Sequence, residues 1–165
     1  MNKTLPQTLT ITLAALSAFA DNHTAQDIGR LGGISASKAE LVAAVIILEA
    51  GGEGQCGMHA VANVIYNRAR MDGRSSYAIV KAPKQFSCLN GVWMDSDAIN
   101  DAKDGWPKQW QYALNLVYWG ETKQLSDVTQ NAYFYQRIGL PKRKWHGQMT
   151  GRIGKHEFFR AANRR

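Results

Sequence analysis

The sequence predicts a single, mostly helical α+β domain. Two observations point there. The chain has 165 residues, of which 45% are hydrophobic and 20% charged, enough for one proper core and too apolar for disorder. Apolar residues recur at helical spacing through its middle, while alternation of period two is confined to the C-terminal part. There is no internal repeat and no low-complexity tract.

Residues 1–20 have the layout of a weak secretory signal. Lys3 supplies a positive charge, Leu9 to Leu16 a short apolar run, and Ala18-Phe19-Ala20 a small-x-small cleavage pattern. The run is too short to span a bilayer, so no stable membrane insertion is expected. Pro6, Thr8, Thr10 and Thr12 dilute it, which leaves open an ordinary N-terminal helix of a cytoplasmic, phage-type protein. Residues 21–36, polar and holding Gly29, Gly32 and Gly33, read as a linker. The domain proper is 37–165.

The first domain helix starts at Ser35 or Ser37, with Glu40 placed to complete a capping box, and ends at Glu49-Ala50. A glycine-rich connector, Gly51 to Gly57, follows. The second helix spans Met58 to Arg70 with Met58, Val61, Ala62, Ile65 and Ala69 as its stripe, and Met71-Asp72-Gly73 stops it. A helical turn at Tyr77 to Lys81 leads to the breaker Ala82-Pro83 and a polar, aromatic loop from Lys84 to Asn90. Helical patterns return at Asp95 to Lys103 and after Pro107, where Trp110, Ala113, Leu114, Val117 and Tyr118 share a face. Two strands, Ala132 to Gln136 and Arg152 to Phe159, flank a basic loop from Pro141 to Gly151.

Glu49 stands out. Val42, Val45, Ile46 and Glu49 lie at i, i+3, i+4 and i+7, which puts a carboxyl on the apolar face of a core helix. The apolar wall and the helix C-terminus both disfavour the ionised form. A glutamic acid that keeps its proton near neutrality is what general-acid cleavage of a glycosidic bond requires.

The other chemistry-bearing residues narrow the class. Lys and Arg outnumber Asp and Glu by 20 to 13, a net charge of +7 that favours a polyanion: nucleic acid, an anionic membrane surface or a bacterial wall. Cys56 and Cys88 lack zinc-site spacing. They form a disulfide in an exported protein or stay separate buried thiols. His23, His59, His146 and His156 are scattered without metal-ligand spacing, so no metal is expected.

Three blocks, in order, resemble the SleB-type cell wall hydrolases, the spore cortex-lytic enzymes and prophage lysins. The first runs from Glu49-Ala50-Gly51-Gly52-Glu53 through Gly57 to Ala60-Val61 and Asn67-Arg68. The second is Gln85-Phe86-Ser87-Cys88. The third reaches from Trp145 to Ile153-Gly154-Lys155-His156-Glu157-Phe158. Gly51, Gly54 and Met58 depart from the residues usual there. The resemblance covers roughly residues 38–160. It implies a lysozyme- or lytic-transglycosylase-like domain with a small sheet. The implied reaction is cleavage between N-acetylmuramic acid and N-acetylglucosamine, with Glu49 as the single catalytic acid and no cofactor.

Peptidoglycan glycan strands are then the partner, and a monomer is expected. Gln85 and Ser87 suit the hydroxyl and acetamido groups of a glycan. Phe86 is either a sugar-stacking ring or a core plug. Tyr133 and Tyr135 share one side of a strand and either line the groove or form an ordinary edge. Trp145 is a stacking candidate in its basic loop. Glu53 binds substrate or braces the following helix, and His156 holds local structure by bonding backbone. The rival readings are a basic nucleic-acid-binding protein, which lacks any recognised motif here, and a wall-binding module without catalysis.

Overall fold

Leu41 to Ile47 are all buried, so the helix carrying them has no solvent face over two turns and other elements pack around it. This is α2, Ala36–Ala50. The structure, a computed structural model, describes residues 22–144 and 146–162. The signal-like segment 1–20 lies outside them. Packed on α2 are α1 (Ala25–Arg30), α3 (Gly54–Asp72), α4 (Ser76–Val80), α5 (Asp95–Gly105) and α6 (Pro107–Glu121). Pro107 takes the first position of α6, as expected.

Three local expectations need correction. Residues 25–30, read as linker, are helical: Thr24 caps α1 in a capping box with Asp27, and Ala25 and Ile28 are buried in the core. The capping box on α2 does not form, because Ser35 is the N-cap and puts Lys38 at N3; Glu40, two residues further on, pairs with Lys103 at 2.8 Å. The connector 51–57 is a 3-10 turn, Gly51–Glu53, followed at once by the first turn of α3.

The sheet differs too. The expected strand 152–159 is a hairpin of β2 (His146–Ile153) and β3 (His156–Ala161), and β2 takes half of the expected basic loop. With β1 (Phe134–Arg137) the antiparallel order is β1-β3-β2, and Phe134 lies opposite Phe159. Gly154 has a φ of +57°, which allows the two-residue turn between β2 and β3. The sheet seats Phe158 against Ala60 and Val64 of α3.

Two buried asparagines one turn apart on α3 tie the chain entering β1. Asn63 donates to Ser126 O and accepts from Val128 N, and Asn67 donates to Ala132 O. Burial works to raise the Asp127 carboxyl, but hydrogen bonds from Thr129, Asn131 and Asn67 win and hold it below the usual carboxylate range. Glu157 is held low chiefly by its bonds from Arg152. Both folded values lie below the unfolded ones. The stability they add is therefore present above about pH 4 and lost as pH falls through the folded values. Urea midpoints should drop as pH falls below about 4, and Asp127→Asn should flatten that drop.

Candidate active site

Glu49 sits in the last turn of α2, half-buried, where that helix leaves the core. Its carboxyl group is positioned from two distant segments. Ser87 Oγ donates to Oε1 at 3.4 Å and Cys88 N donates to the same oxygen at 3.2 Å. Tyr135 Oη donates to Oε2 at 2.9 Å. Where an apolar wall was expected, the carboxyl group thus meets a set of polar donors. They come from residues 38 to 86 positions away, beyond the reach of a helical pattern.

The loop that supplies Ser87 and Cys88 is pinned by Phe86, which is 2% exposed and lies with its ring centroid 5.5 Å from the Arg68 guanidinium. Phe86 is therefore a core plug and not a sugar-stacking ring. Burial pushes the Tyr135 phenol well above its usual range, and the Glu49 carboxylate adds to this. Burial likewise raises the Cys88 thiol, with Glu49 again contributing. Both groups stay protonated as donors at neutral pH. Cys56 and Cys88 are free thiols, and Cys56 is exposed.

Glu49 lines a cleft of about 620 Å³ together with Gln85, Ser87, Asn90, Tyr135 and Gln136. Three of the expected site residues meet there with Glu49: Gln85, Ser87 and Tyr135. Gln85 Oε1 also accepts from Arg68 Nη1 at 3.1 Å, which turns its amide nitrogen away from the arginine. Tyr133 is 7% exposed, donates to Asp72 at 2.6 Å and does not line the cleft. Trp145 lies outside the described residues. Asn90, Gln136 and Lys84 escaped the sequence reading, being polar loop and strand-edge residues without a motif.

Glu53 is committed elsewhere. Oε2 accepts from Lys155 N at 2.8 Å, and Oε1 pairs with His156 Nδ1 at 2.9 Å. His156 thus bonds a carboxylate where backbone was expected, and its ring stands edge-on to that of Tyr135 at 5.1 Å. Through this chain the 3-10 turn braces the hairpin that backs the Glu49 donor. A Cβ on Gly154 would run into Glu53 Oε2. Gly154→Ala combines that collision with left-handed backbone strain and should cost about 2–3 kcal/mol in urea melts. Gly91→Ala, where φ is +81° and the surroundings are open, carries the backbone term alone and should cost about 1 kcal/mol.

Among the described residues no group of three His, Cys, Asp or Glu side chains could hold a metal ion. The candidate site is thus a polar cleft with a carboxyl group in its wall, carried by a helical domain with one small sheet. Residues 52–159 match the Cell Wall Hydrolase family, and the chain belongs to it. The matched region begins just after Glu49.

Two solved structures share the fold. The catalytic domain of the Bacillus cereus SleB protein superposes with a TM-score of 0.50 at 25% identity, covering 78% of this chain and 93% of that one. The catalytic domain of the germination-specific lytic transglycosylase SleB from Bacillus anthracis gives 0.51 at 24% identity, covering 78% and 98%. No curated protein matches the sequence. The chain is accordingly an enzyme of the SleB type that acts on peptidoglycan.

Proposed function

We propose that the chain cuts peptidoglycan strands between N-acetylmuramic acid and N-acetylglucosamine as a lytic transglycosylase, with Glu49 as acid and then base. The observation that carries this reading is the solitary carboxyl. Among the described residues lining the cleft, Glu49 alone is acidic. Two-carboxylate glycosidases need a second acid, about 5–9.5 Å away across the scissile bond. The nearest acid in sequence, Glu53, has both oxygens bound to the β2–β3 turn and His156.

Protonated Glu49 gives its proton to the glycosidic oxygen as the bond breaks. The resulting carboxylate then takes the proton of the muramoyl 6-hydroxyl, whose oxygen attacks the anomeric carbon. The product is a 1,6-anhydro sugar, and no water is consumed. Tyr135, Ser87 and the Cys88 amide hold the carboxyl in place through both steps. Gln85, Asn90 and Gln136 supply hydrogen bonds for the glycan. Residues 1–20 would serve as the export signal that brings a monomeric enzyme to the wall.

Mass spectrometry of digested peptidoglycan tests this. Anhydro-muramoyl ends are expected. Reducing muramoyl ends would replace the transglycosylase with a muramidase, and uncut glycan would remove the reading altogether.

A further inference from the structure

Both walls of the cleft carry cations. Lys84 comes from the loop before the Ser87–Leu89 turn, and Lys142 and Arg143 from the connection between β1 and β2. Against these three stands a single lining carboxyl among the described residues, that of Glu49. Lys84 is exposed and holds a φ of +60°, a left-handed conformation costly for a residue with a side chain. Lys142, also exposed, projects its ammonium 5.7 Å from the Phe159 ring centroid. Burial first, then Arg143 and Lys142, push the neighbouring His146 imidazole below its usual range, so it is neutral at pH 7.

Glu157 feels the Lys142 charge, but its oxygens are already bonded by Arg152 and Gln136, so a neutral glycan would bring Lys84 and Lys142 no anion of its own. Its hydroxyl and acetamido groups are matched by Gln85, Ser87, Asn90 and Gln136 on the same walls. Muramic acid carries one group that glucosamine lacks, a lactyl ether ending in a carboxyl. That carboxyl is either free or joined to a stem peptide that bears carboxylates of its own. We infer that Lys84 and Lys142 clamp a carboxylate on the muramoyl unit seated beside Glu49. The cleft then favours strands with free lactyl or stem carboxylates and rejects strands in which these are neutralised. The inference rests on the glycan-cleaving reading above and gives it a substrate preference. Because the contacts are rim-exposed ion pairs, the preference should weaken with salt.

The test uses the full chain on two walls, one with intact stems and one stripped by an amidase to bare lactyl groups. Each is taken native and after carbodiimide coupling to ethanolamine, which neutralises carboxylates. Half-saturating wall concentration is read from cleavage, and binding from co-sedimentation of the Glu49→Gln protein, which needs no cleavage. Neutralisation should weaken both by about fivefold, the size expected for two rim-exposed charge contacts acting together. The double variant Lys84→Gln/Lys142→Gln, checked for folding by circular dichroism, should treat native and neutralised wall alike. Discrimination that survives on stripped wall assigns the lactyl carboxylate as the ligand; discrimination confined to intact stems assigns the peptide. Equal treatment by the wild type, or discrimination retained by the double variant, overturns the clamp. Discriminating binding without any cleavage would sustain the clamp while retiring the transglycosylase.

Discussion

Glu49→Gln should lower wall cleavage by about a thousandfold while leaving the fold in place. The amide matches the carboxyl in shape, so α2 keeps its packing. Its oxygen still accepts from one side, either from Ser87 and Cys88 or from Tyr135, which donate to opposite carboxyl oxygens. The mismatch at the other side costs about 1 kcal/mol of stability. What the amide lacks is a transferable proton. Loss of a positioned general acid removes about 10²–10⁴ in rate. Here one group does both proton transfers, so the loss should reach at least the middle of that range, about a thousandfold. The loss should fall on kcat, with half-saturation nearly unchanged, because the proton matters in the transition state and not in ground-state binding. Turnover on soluble glycan fragments, beside thermal melting of the variant, checks both halves. A variant within tenfold of wild type would place the acid on another residue.

The helices were legible because their signal is local. The apolar stripe of Pro107–Glu121, its N1 proline and the near-continuous run of Leu41 to Ile47 all sit inside one element. The site was only half legible. Glu49, at the i+7 position of the apolar face of α2, does reach the cleft. The three donors around it belong to a 3-10 turn and a strand, and their arrival depends on tertiary closure. The glycine-rich tract misled for a related reason. Gly54 and Gly57 are poor helix formers in isolation, yet α3 begins there. Gly57 earns its place by contact, since a Cβ on it would lie 2.5 Å from that of Glu53. The expected single strand 152–159 hid a turn because Gly154-Lys155 is too short to break a period-two pattern by eye.

The residue whose loss should cost the most stability also lies on an apolar helix face. Val61, Val64, Ile65 and Arg68 also stand at i, i+3, i+4 and i+7, and Arg68 is 5% exposed. Its Nε donates to Tyr133 O at 2.6 Å and its Nη1 to Gln85 Oε1 at 3.1 Å. The rings of Phe86, Tyr133 and Phe134 lie 5.4–5.5 Å from its guanidinium carbon. Burial lowers its proton affinity, opposed by Tyr135, Tyr133, Asp72 and Glu49, yet an arginine stays charged throughout the working range.

Arg68→Met keeps most of the volume and removes every donor. Two bonds from a charged group are lost, and the Tyr133 carbonyl is left buried without its arginine donor. Part of this is offset because a costly buried charge is gone. The balance should be about 3 kcal/mol of destabilisation, or about 10 °C in Tm for a chain of this length. Lysine should rescue little, since one ammonium cannot serve two acceptors in the geometry of a planar fork. Activity should fall beyond what unfolding explains, measured well below the variant's Tm. Without the cation under its ring, Phe86 holds the 84–90 loop less firmly, and that loop carries the Ser87 and Cys88 donors to Glu49. If Arg68→Met melts with the wild type and still cuts wall at full rate, the buried arginine is not what sets that loop.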